Sequence, residues 1–276
     1  MIPFDFKYYK PSTMEEATNL FFNLKEKGKQ PLFYNGGTEI ITFTRNNQIY
    51  MDAVIDIKEI PECKVYQVEN NKLLIGSVIS LTHITEFSLF PLLSEVSKGI
   101  ADHTSRNKIT LGGNLCGMIP YREAILPFLL TNSDVVIAGK DGIKAAPIQK
   151  VFHERFSLND GEFIVQILVD IEDISLPFVH IKKTRIGDIG YPLVTIAALR
   201  KEREIRIALS GVTDFPFRAL EMERVLNQQG ISPKQKVNLA LDALSVPIKN
   251  DLHGSAEYRE FVLENLLFEV IKELGE

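Results

Sequence analysis

Two glycine-rich bends, widely separated in the sequence, constrain this chain more than any other feature. Their sequences are Asn35-Gly36-Gly37-Thr38-Glu39-Ile40 and Thr110-Leu111-Gly112-Gly113-Asn114. Because glycine has no Cβ, each bend lets backbone N–H groups approach an anion closely. Neither bend carries the Lys-Ser/Thr pair of an ATP-hydrolysing phosphate loop. The two bends therefore predict a cradle for a ligand with two phosphates in a row.

The surroundings of the first bend strengthen this interpretation. An apolar strand is expected at residues 31–34, and a short helix is expected to begin at Thr38, so that the bend lies at a helix N-terminus, where phosphate is favoured. A dinucleotide such as FAD fits two such bends. The alternative for the first bend is a tight turn that Thr38 caps, and for the second a bulge in which Asn114 tolerates unusual backbone angles.

The composition is that of an ordinary globular protein. The chain is 45% hydrophobic and 24% charged, and its formal net charge of −5 disfavours a nucleic-acid-binding protein, which usually has a basic face. It has no apolar run long enough to span a membrane, and its first residues lack the pattern of a secretory signal, so we expect a cytoplasmic protein. The 2 cysteines, Cys63 and Cys116, are expected to be reduced and buried. Since an iron–sulfur cluster takes about four thiolates, any cluster must lie on another chain.

Periodicity and capping residues predict the secondary structure of the first half. Ser12-Thr13-Met14-Glu15 has the pattern of a capping box, and a helix is expected from there to Gly28. Thr82 is expected to cap a short helix, and Pro91 to begin another. Strands are expected at residues 31–34, 54–57, 73–76, 135–137 and 163–169.

The C-terminal part is predicted to form a separate unit after a linker at residues 170–177. Strands are expected at 178–182, 193–199 and 205–209, and helices at 218–227, 234–244 and 256–274. The last helix is expected to dock through one apolar face. That face carries Tyr258, Phe261, Val262, Leu266, Val270 and Leu274.

Two charged positions are candidate ligand contacts. Glu123 is either a solvated carboxylate at a helix start or an acceptor for ribose hydroxyls or ring N–H groups. The stretch Lys182-Lys183-Thr184-Arg185 is either a solvated strand end or a source of positive charge that stabilises a reduced, anionic flavin. The 5 histidines show no metal-ligand spacing, and no nucleophile–base pair is found. A cradle without a catalytic side chain suits a flavoprotein, whose cofactor performs the redox chemistry.

Several segments, in the order in which they occur, resemble the FAD-binding subunit, or medium chain, of the molybdenum hydroxylases, the family of xanthine dehydrogenase and carbon monoxide dehydrogenase. The two bends, the second with Arg106-Asn107 before it, resemble the family's two FAD loops. Gly161-Glu162-Phe163-Ile164 resembles the strand before the linker, and Ser210-Gly211-Val212 with Arg218-Ala219 is similar to the signature of the C-terminal domain. Residues 251–259 resemble the most distinctive stretch of that domain.

The resemblance implies an α+β fold in which two α/β subdomains, residues 1–56 and 57–172, form an FAD-binding domain of the PCMH type. A small antiparallel sheet with helices then forms a C-terminal domain, residues 175–276. The resemblance also implies an oxidoreductase subunit in complex with a molybdopterin-binding large subunit and a small subunit with two [2Fe–2S] clusters. Electrons from those clusters collect on FAD and pass to NAD+ or another acceptor.

By position, the resemblance assigns FAD contacts to both bends, to the two residues before the first bend, and to three residues further along the chain. Glu123 stands where the family usually has Asp, and Ile164 is expected to pack on the cofactor. Lys182 lies near the position of the family's flavin-side lysine, with Lys183 as the alternative because the spacing to Gly187-Asp188 is shorter than in some relatives. The assigned residues are Phe33, Tyr34, Asn35, Gly36, Gly37, Thr38, Glu39, Ile40, Thr110, Leu111, Gly112, Gly113, Asn114, Glu123, Ile164 and Lys182.

The segment 116–123 departs from the family's pattern. Cys116-Gly117-Met118-Ile119 replaces a small polar run, and Tyr121-Arg122-Glu123 replaces two small residues and Asp. Two alternatives therefore stay open. One is a docking or assembly subunit that has lost FAD, and the other is a free-standing flavin oxidase of the related fold.

Overall fold

A computed structural model describes residues 1–185 and 190–275, and in this part of the chain the strands form three sheets. Their orders are β1-β3-β2, β4-β5-β8-β6-β7 and β12-β11-β10-β9. The strands are β1 (Lys7–Tyr9), β2 (Pro31–Tyr34), β3 (Ala53–Asp56), β4 (Tyr66–Glu69), β5 (Lys72–Gly76), β6 (Asp134–Gly139), β7 (Gly142–Pro147), β8 (Phe163–Asp170), β9 (Phe178–Thr184), β10 (Pro192–Lys201), β11 (Glu204–Ser210) and β12 (Phe217–Arg218).

Each helix predicted from the sequence is present, two caps differ from the prediction, and four short helices were not predicted: His103–Arg106, Leu111–Leu115, Leu126–Leu130 and Ile148–Val151. Thr13, not Ser12, caps the first helix, because its side chain accepts from the Glu16 N–H. Ser80, not Thr82, accepts from the His83 N–H at 3.1 Å, so Thr82 lies inside its helix. The helices are α1 (Met14–Glu26), α2 (Thr38–Arg45), α3 (Leu81–Phe87), α4 (Pro91–Lys98), α5 (His103–Arg106), α6 (Leu111–Leu115), α7 (Leu126–Leu130), α8 (Ile148–Val151), α9 (Leu220–Leu226), α10 (Pro233–Asp242) and α11 (Ala256–Leu274).

Close contacts divide the chain into two compact units, each built from non-consecutive segments. The first unit comprises Met1–His83, His103–Met118 and Ser133–Asp170. The second unit comprises Ile84–Asp102, Ile119–Asn132 and Ile171–Glu276.

The first unit contains the parallel sheet β1-β3-β2 and the antiparallel sheet β4-β5-β8-β6-β7. Residues of α1 and of both sheets share one core, in which Phe21, Ile55, Phe163 and Val165 are buried. Because β2 and β3 run parallel, with Tyr34 opposite Asp56, their carboxyl ends lie at the same edge of the sheet. In open α/β sheets this is the edge at which ligands bind.

Strands β1, β4 and β7 were not predicted from the sequence. Residues of β7 are mostly exposed, and β4 and β7 lie at the two edges of the five-stranded sheet. An edge strand that is mostly solvated lacks the apolar run by which a strand is recognised in a sequence. These strands are therefore identified by their backbone pairing with neighbouring strands rather than by a pattern in their own residues.

The second unit is an antiparallel sheet with helices, as the sequence predicts for the C-terminal part. The core joins β10 and β11 to α9, α10 and α11, with Ile196, Ile207, Met222 and Leu266 among its buried residues. Arg218 lies in β12, so the helix expected from residue 218 begins at Leu220. The fold class predicted from the sequence, α+β with a C-terminal antiparallel sheet, is confirmed.

One face of α11 differs from the prediction. Leu266, Val270 and Leu274 are buried, but Tyr258 and Phe261 are exposed and stack on one another with their ring centroids 6.5 Å apart. The docked face begins instead with Arg259, whose side chain is fully buried. Helical periodicity counts arginine as a solvent-facing residue, so the pattern of apolar residues could not place it there.

Candidate functional site

The first bend connects the end of β2 to the start of α2. Gly37 is the N-cap of α2 with φ +74°, and no side chain caps the helix, so Thr38 is its first residue and not its cap. A Cβ at Gly37 would lie 2.2 Å from the ring of Tyr34, so both the backbone angle and the packing require glycine. The N-terminus of an eight-residue helix is thus left without a side-chain cap, which is the arrangement that favours a bound phosphate.

The structure brings the two bends into contact. The Gly36 N–H donates to Thr110 Oγ1 at 3.2 Å, and Asn35 Nδ2 donates to the carbonyl of Ser77 at 3.0 Å. The Gly112 N–H donates to the same Ser77 carbonyl at 2.8 Å. Ser77 was not predicted as a site residue. Its only signal in the sequence is its position directly after the strand at residues 73–76.

The backbone N–H groups of residues 111–114 in the second bend donate to acceptors within the protein. Leu111 donates its N–H to Ile79 at 2.8 Å, Gly112 to Ser77, and Asn114 to the carbonyl of Thr110 at 2.9 Å. Among residues 111–114 the fourth N–H group, that of Gly113, donates to Thr110 Oγ1 at 3.2 Å. That both bends aim amides at a diphosphate stays a prediction, and the structure shows a further role for the second bend. It forms the short helix α6, which Thr110 caps, and it supports the first bend.

The glycines of the second bend serve close packing between protein segments. A Cβ at Gly112 would lie 2.7 Å from the Ser77 Cβ and 2.9 Å from Asn35 Nδ2. A Cβ at Gly113 would lie 2.8 Å from Thr110 Oγ1, the atom that joins the two bends. Substitution at either position would therefore disturb the first bend through its support.

Three of the other predicted site residues of the first unit have identifiable partners. The ring of Phe33 stacks on Phe21 with the centroids 5.2 Å apart, and Ile164 is buried in β8. Glu39 Oε2 accepts the Met118 N–H at 2.7 Å, which ties α2 to the segment after α6. Phe33 and Ile164 therefore support the site from the core.

Glu123 and Lys182 both belong to the second unit, and they contact one another. Lys182 Nζ donates to Glu123 Oε2 at 2.8 Å and to the carbonyl of Gly99 at 2.7 Å. The Thr195 hydroxyl donates to Glu123 Oε1 at 2.6 Å. Burial raises the pKa of the Glu123 carboxyl, and the charge of Lys182 and the hydrogen bonds from Lys182 and Thr195 oppose that effect. The interpretation of Glu123 as a solvated carboxylate is wrong, and Gly187-Asp188, the reference for Lys183, lies outside the described residues.

The two cysteines have different environments. Cys63 is buried, and desolvation raises the pKa of its thiol to about 12. Cys116 directly follows α6 and is exposed. The expectation that it is buried was therefore wrong. Among the described residues, no group of three His, Cys, Asp or Glu side chains is placed to hold a metal ion. Nor does any helix in the described ranges have the length and apolar character needed to cross a membrane.

Sequence comparison assigns the chain to a family. Residues 4–169 match the FAD binding domain in molybdopterin dehydrogenase, and residues 182–274 match the CO dehydrogenase flavoprotein C-terminal domain. The chain therefore belongs to the molybdenum hydroxylase family as an FAD-binding medium subunit, an oxidoreductase subunit whose cofactor is FAD.

Similar proteins match along nearly their whole length. The chain is 26% identical to the glyceraldehyde dehydrogenase medium chain of Sulfolobus acidocaldarius, with 100% of both chains covered. It is also 26% identical to the carbon monoxide dehydrogenase medium chain of Hydrogenophaga pseudoflava, over 94% of this chain and 93% of the relative. A solved structure of carbon monoxide dehydrogenase from Hydrogenophaga pseudoflava, which lacks the Mo-pyranopterin moiety, superposes with a TM-score of 0.88 at 24% identity, covering 100% of this chain and 99% of that chain. That likeness establishes the same fold.

The first bend suits one end of this cofactor on two structural grounds. The helix N-terminus at Gly37 has no side-chain cap, so it can accept a phosphate. Within the described residues, Asn35 Oδ1 is buried and no hydrogen-bond donor reaches it. Buried acceptors in proteins are nearly always hydrogen-bonded, and a dinucleotide has ribose hydroxyls that can donate to this one.

Proposed function

We propose that this chain is the FAD-bearing subunit of a heteromeric molybdenum hydroxylase. Its partners would be a molybdopterin-binding large subunit and a small subunit with two [2Fe–2S] clusters. The names of its relatives support this, since they are medium chains or FAD-binding subunits of dehydrogenases, such as the xanthine dehydrogenase FAD-binding subunit of Escherichia coli O157:H7. That relative is 23% identical over 98% of this chain. When bound, FAD accepts single electrons from the clusters and delivers a pair to NAD+ or another acceptor.

One observation supports this proposal above the others: the uncapped N-terminus of α2 at the Gly36-Gly37 bend, held against the second bend through Thr110. We assign the backbone of residues 37–40 to the pyrophosphate of FAD, because a helix N-terminus stabilises an anion without needing a lysine, and Gly36 to the hydrogen bond that orients this backbone. Asn35 is assigned to the sugar, and Phe33 and Tyr34 form the floor of the bend. Thr110, Leu111, Gly112, Gly113 and Asn114 hold that arrangement in place.

Glu123, Ile164 and Lys182 stay in the proposed FAD site on the strength of the family resemblance. Lys182 and Glu123 form an ion pair with one another. We propose that they present this pair to the cofactor as two charges in fixed positions. We also propose that residues 1–56 and 57–172 are the two halves of the FAD-binding domain and that residues 175–276 are the C-terminal domain. The matched regions, 4–169 and 182–274, support the boundary between the FAD-binding domain and the C-terminal domain. A cytoplasmic location stays a prediction.

Purification of the native complex tests the proposal. We expect the preparation to contain FAD, molybdenum and iron, and the flavin absorbance to be bleached by substrate and restored by one of NAD+, a quinone or a ferredoxin. A complex without flavin would contradict the proposal in favour of an assembly subunit. Bleaching of the flavin by substrate in the isolated chain would favour a free-standing flavin oxidase.

A further inference from the structure

A group of polar side chains lies at the carboxyl ends of the parallel strands, beside the first bend. Tyr8 comes from β1, Tyr34 ends β2, and Asp56 ends β3. Lys58 follows two residues later in a single 3-10 turn, Ile57–Glu59. Tyr8 and Tyr34 become neighbours of Asp56 and Lys58 only when the three strands pair in parallel, so no local pattern in the sequence connects them.

Lys58 is the residue of this group that contacts the bend. Its Nζ lies 3.0 Å from the carbonyl oxygen of Asn35 and 2.7 Å from Asp56 Oδ2. The same ammonium group lies 4.4 Å from the centroid of the Tyr34 ring, within the range of a cation–π contact. The ammonium group of Lys58 thus contacts the backbone of the first bend at Asn35 and the Tyr34 ring, which packs against Gly37.

The contact with Asn35 fixes one particular peptide group. The carbonyl of Asn35 and the N–H of Gly36 belong to the same planar unit, and Lys58 binds its oxygen while Thr110 Oγ1 binds its N–H at 3.2 Å. This peptide directly precedes Gly37, the N-cap of α2. Holding it at both ends therefore fixes the direction in which the N-terminus of α2 points.

Asp56 holds Lys58 in turn. Its side chain is 1% exposed, and its Oδ1 accepts the backbone N–H of Lys58 at 2.9 Å. The hydroxyl of Tyr8 donates to Asp56 Oδ2. That hydrogen bond, with burial and the charge of Asp56, raises the pKa of Tyr8 to about 12, so Tyr8 stays protonated and keeps its donor. A solvent-exposed ion pair contributes little, but here the carboxylate is buried and has a second donor.

We propose that Lys58 is a positioning residue for FAD, which fixes the Asn35–Gly36 peptide so that the N-terminus of α2 receives the pyrophosphate. This inference rests on the proposed function of the bend. It adds a residue that the family resemblance does not assign, and it predicts an effect on cofactor affinity that acts through the Asn35 carbonyl. Lys58 is a positioning residue because it acts through the backbone of Asn35.

The test is a titration of the flavin-free full chain with FAD, followed by flavin fluorescence. Lys58→Met is expected to weaken FAD binding roughly tenfold to a hundredfold, the range for losing a hydrogen bond from a charged donor. Lys58→Gln, which keeps a side-chain donor, should lie between Lys58→Met and the wild type. The control is Lys64→Met, since Lys64 pairs with the half-exposed Glu59 and makes no contact with the bend in the described structure.

A double-mutant cycle separates this role from a general loss of stability. Lys58 and Thr110 hold the same peptide, so Lys58→Met combined with Thr110→Val should weaken FAD binding by less than the product of the two single effects. Lys64→Met combined with Thr110→Val should show no such coupling. If the wild type binds FAD and Lys58→Met binds it with the same affinity, this inference alone is overturned. The same holds if the double variant weakens FAD binding by the full product of the two single effects. A wild-type chain that binds no FAD would overturn the proposed function of the bend as well.

Discussion

Lys182 and Glu123 form an ion pair that is buried in the second unit. The Nζ of Lys182 lies 2.8 Å from Oε2 of Glu123, and the side chains are 9% and 5% exposed. Thr195 and the carbonyl of Gly99 complete the hydrogen bonding of the pair. Because each charge is satisfied by the other, removal of one leaves the other buried without compensation.

We therefore expect Lys182→Met to lower the free energy of unfolding by about 3–5 kcal/mol at neutral pH, as for other broken buried pairs. The measurement is urea unfolding of the purified chain. Lys64→Met removes a lysine from an exposed pair, with both side chains 45% exposed, and serves as the control. The control should lose no more than about 1 kcal/mol.

The loss in Lys182→Met should depend on pH. Burial already raises the pKa of Glu123, and removing the opposing lysine raises it further. A carboxyl whose pKa is higher in the folded state favours folding in acid, and that contribution is lost as the pH rises through the folded pKa. The difference between variant and wild type should therefore be small at about pH 4, near the unfolded pKa of glutamate, and larger toward neutrality. Glu123→Gln in the variant background should abolish this trend, and a constant difference at all pH values would refute the explanation.

Thr110→Val should weaken FAD binding, with only a modest loss of stability. The substitution keeps the shape of the side chain but removes the acceptor for the N–H groups of Gly36 and Gly113. We expect an affinity loss of about tenfold and a loss of stability of about 1 kcal/mol, as for a removed helix cap. FAD titration and thermal unfolding measure the two effects.

Ser232→Ala provides the comparison for Thr110→Val. Ser232 caps α10 in the second unit and accepts from the Gln235 N–H, so the change also removes a helix cap. It should lower stability by a similar amount and leave FAD affinity unchanged. Equal losses of affinity in the two variants would mean that Thr110 acts only through stability.

The sequence predicted the first bend better than the second. Glycine followed by a helical pattern is a local signal, and α2 begins at Thr38 as expected. The amides of residues 111–114 look available in the sequence, but Ile79 and Ser77 accept two of them. Such pairing depends on which segments meet in space, and neither composition nor spacing reports it.

The position of Arg259 illustrates the same limit in the second unit. Its charge predicts a solvent-facing residue, yet its guanidinium donates to Asp251 and to the carbonyls of Leu193 and Gly211. A buried arginine is stable only with partners, and these partners come from other parts of the sequence. Tyr258 and Phe261 are exposed instead, because the register of α11 is set by Arg259 and the leucines that follow.

Arg259→Met should be strongly destabilising. Its side chain is fully buried, with Nη2 2.6 Å from Asp251 Oδ1, so the substitution removes the ion pair with Asp251 and the side-chain donor to the carbonyls of Leu193 and Gly211. We expect a loss of about 3–5 kcal/mol in urea unfolding. Arg224→Met is the control, because Arg224 and Glu221 form an exposed pair and should contribute under about 1 kcal/mol. Similar losses in the two variants would contradict the structural role of Arg259.

Gly37→Ala should separate backbone strain from the packing of the bend. Gly37 has φ +74°, and a Cβ there would lie 2.2 Å from the Tyr34 ring, which in turn contacts Lys58. Gly142 has φ +98°, and among the described residues nothing lies within 4 Å of its added Cβ, so Gly142→Ala bears the strain alone. The left-handed alanine should cost each variant about 1–2 kcal/mol of stability, and Gly37→Ala should lose more because its Cβ also meets the Tyr34 ring. Only Gly37→Ala should also lose FAD affinity in a flavin titration, because the ring must move and the helix N-terminus moves with it. If both variants bound FAD as the wild type does, the geometry of the first bend would not determine cofactor affinity.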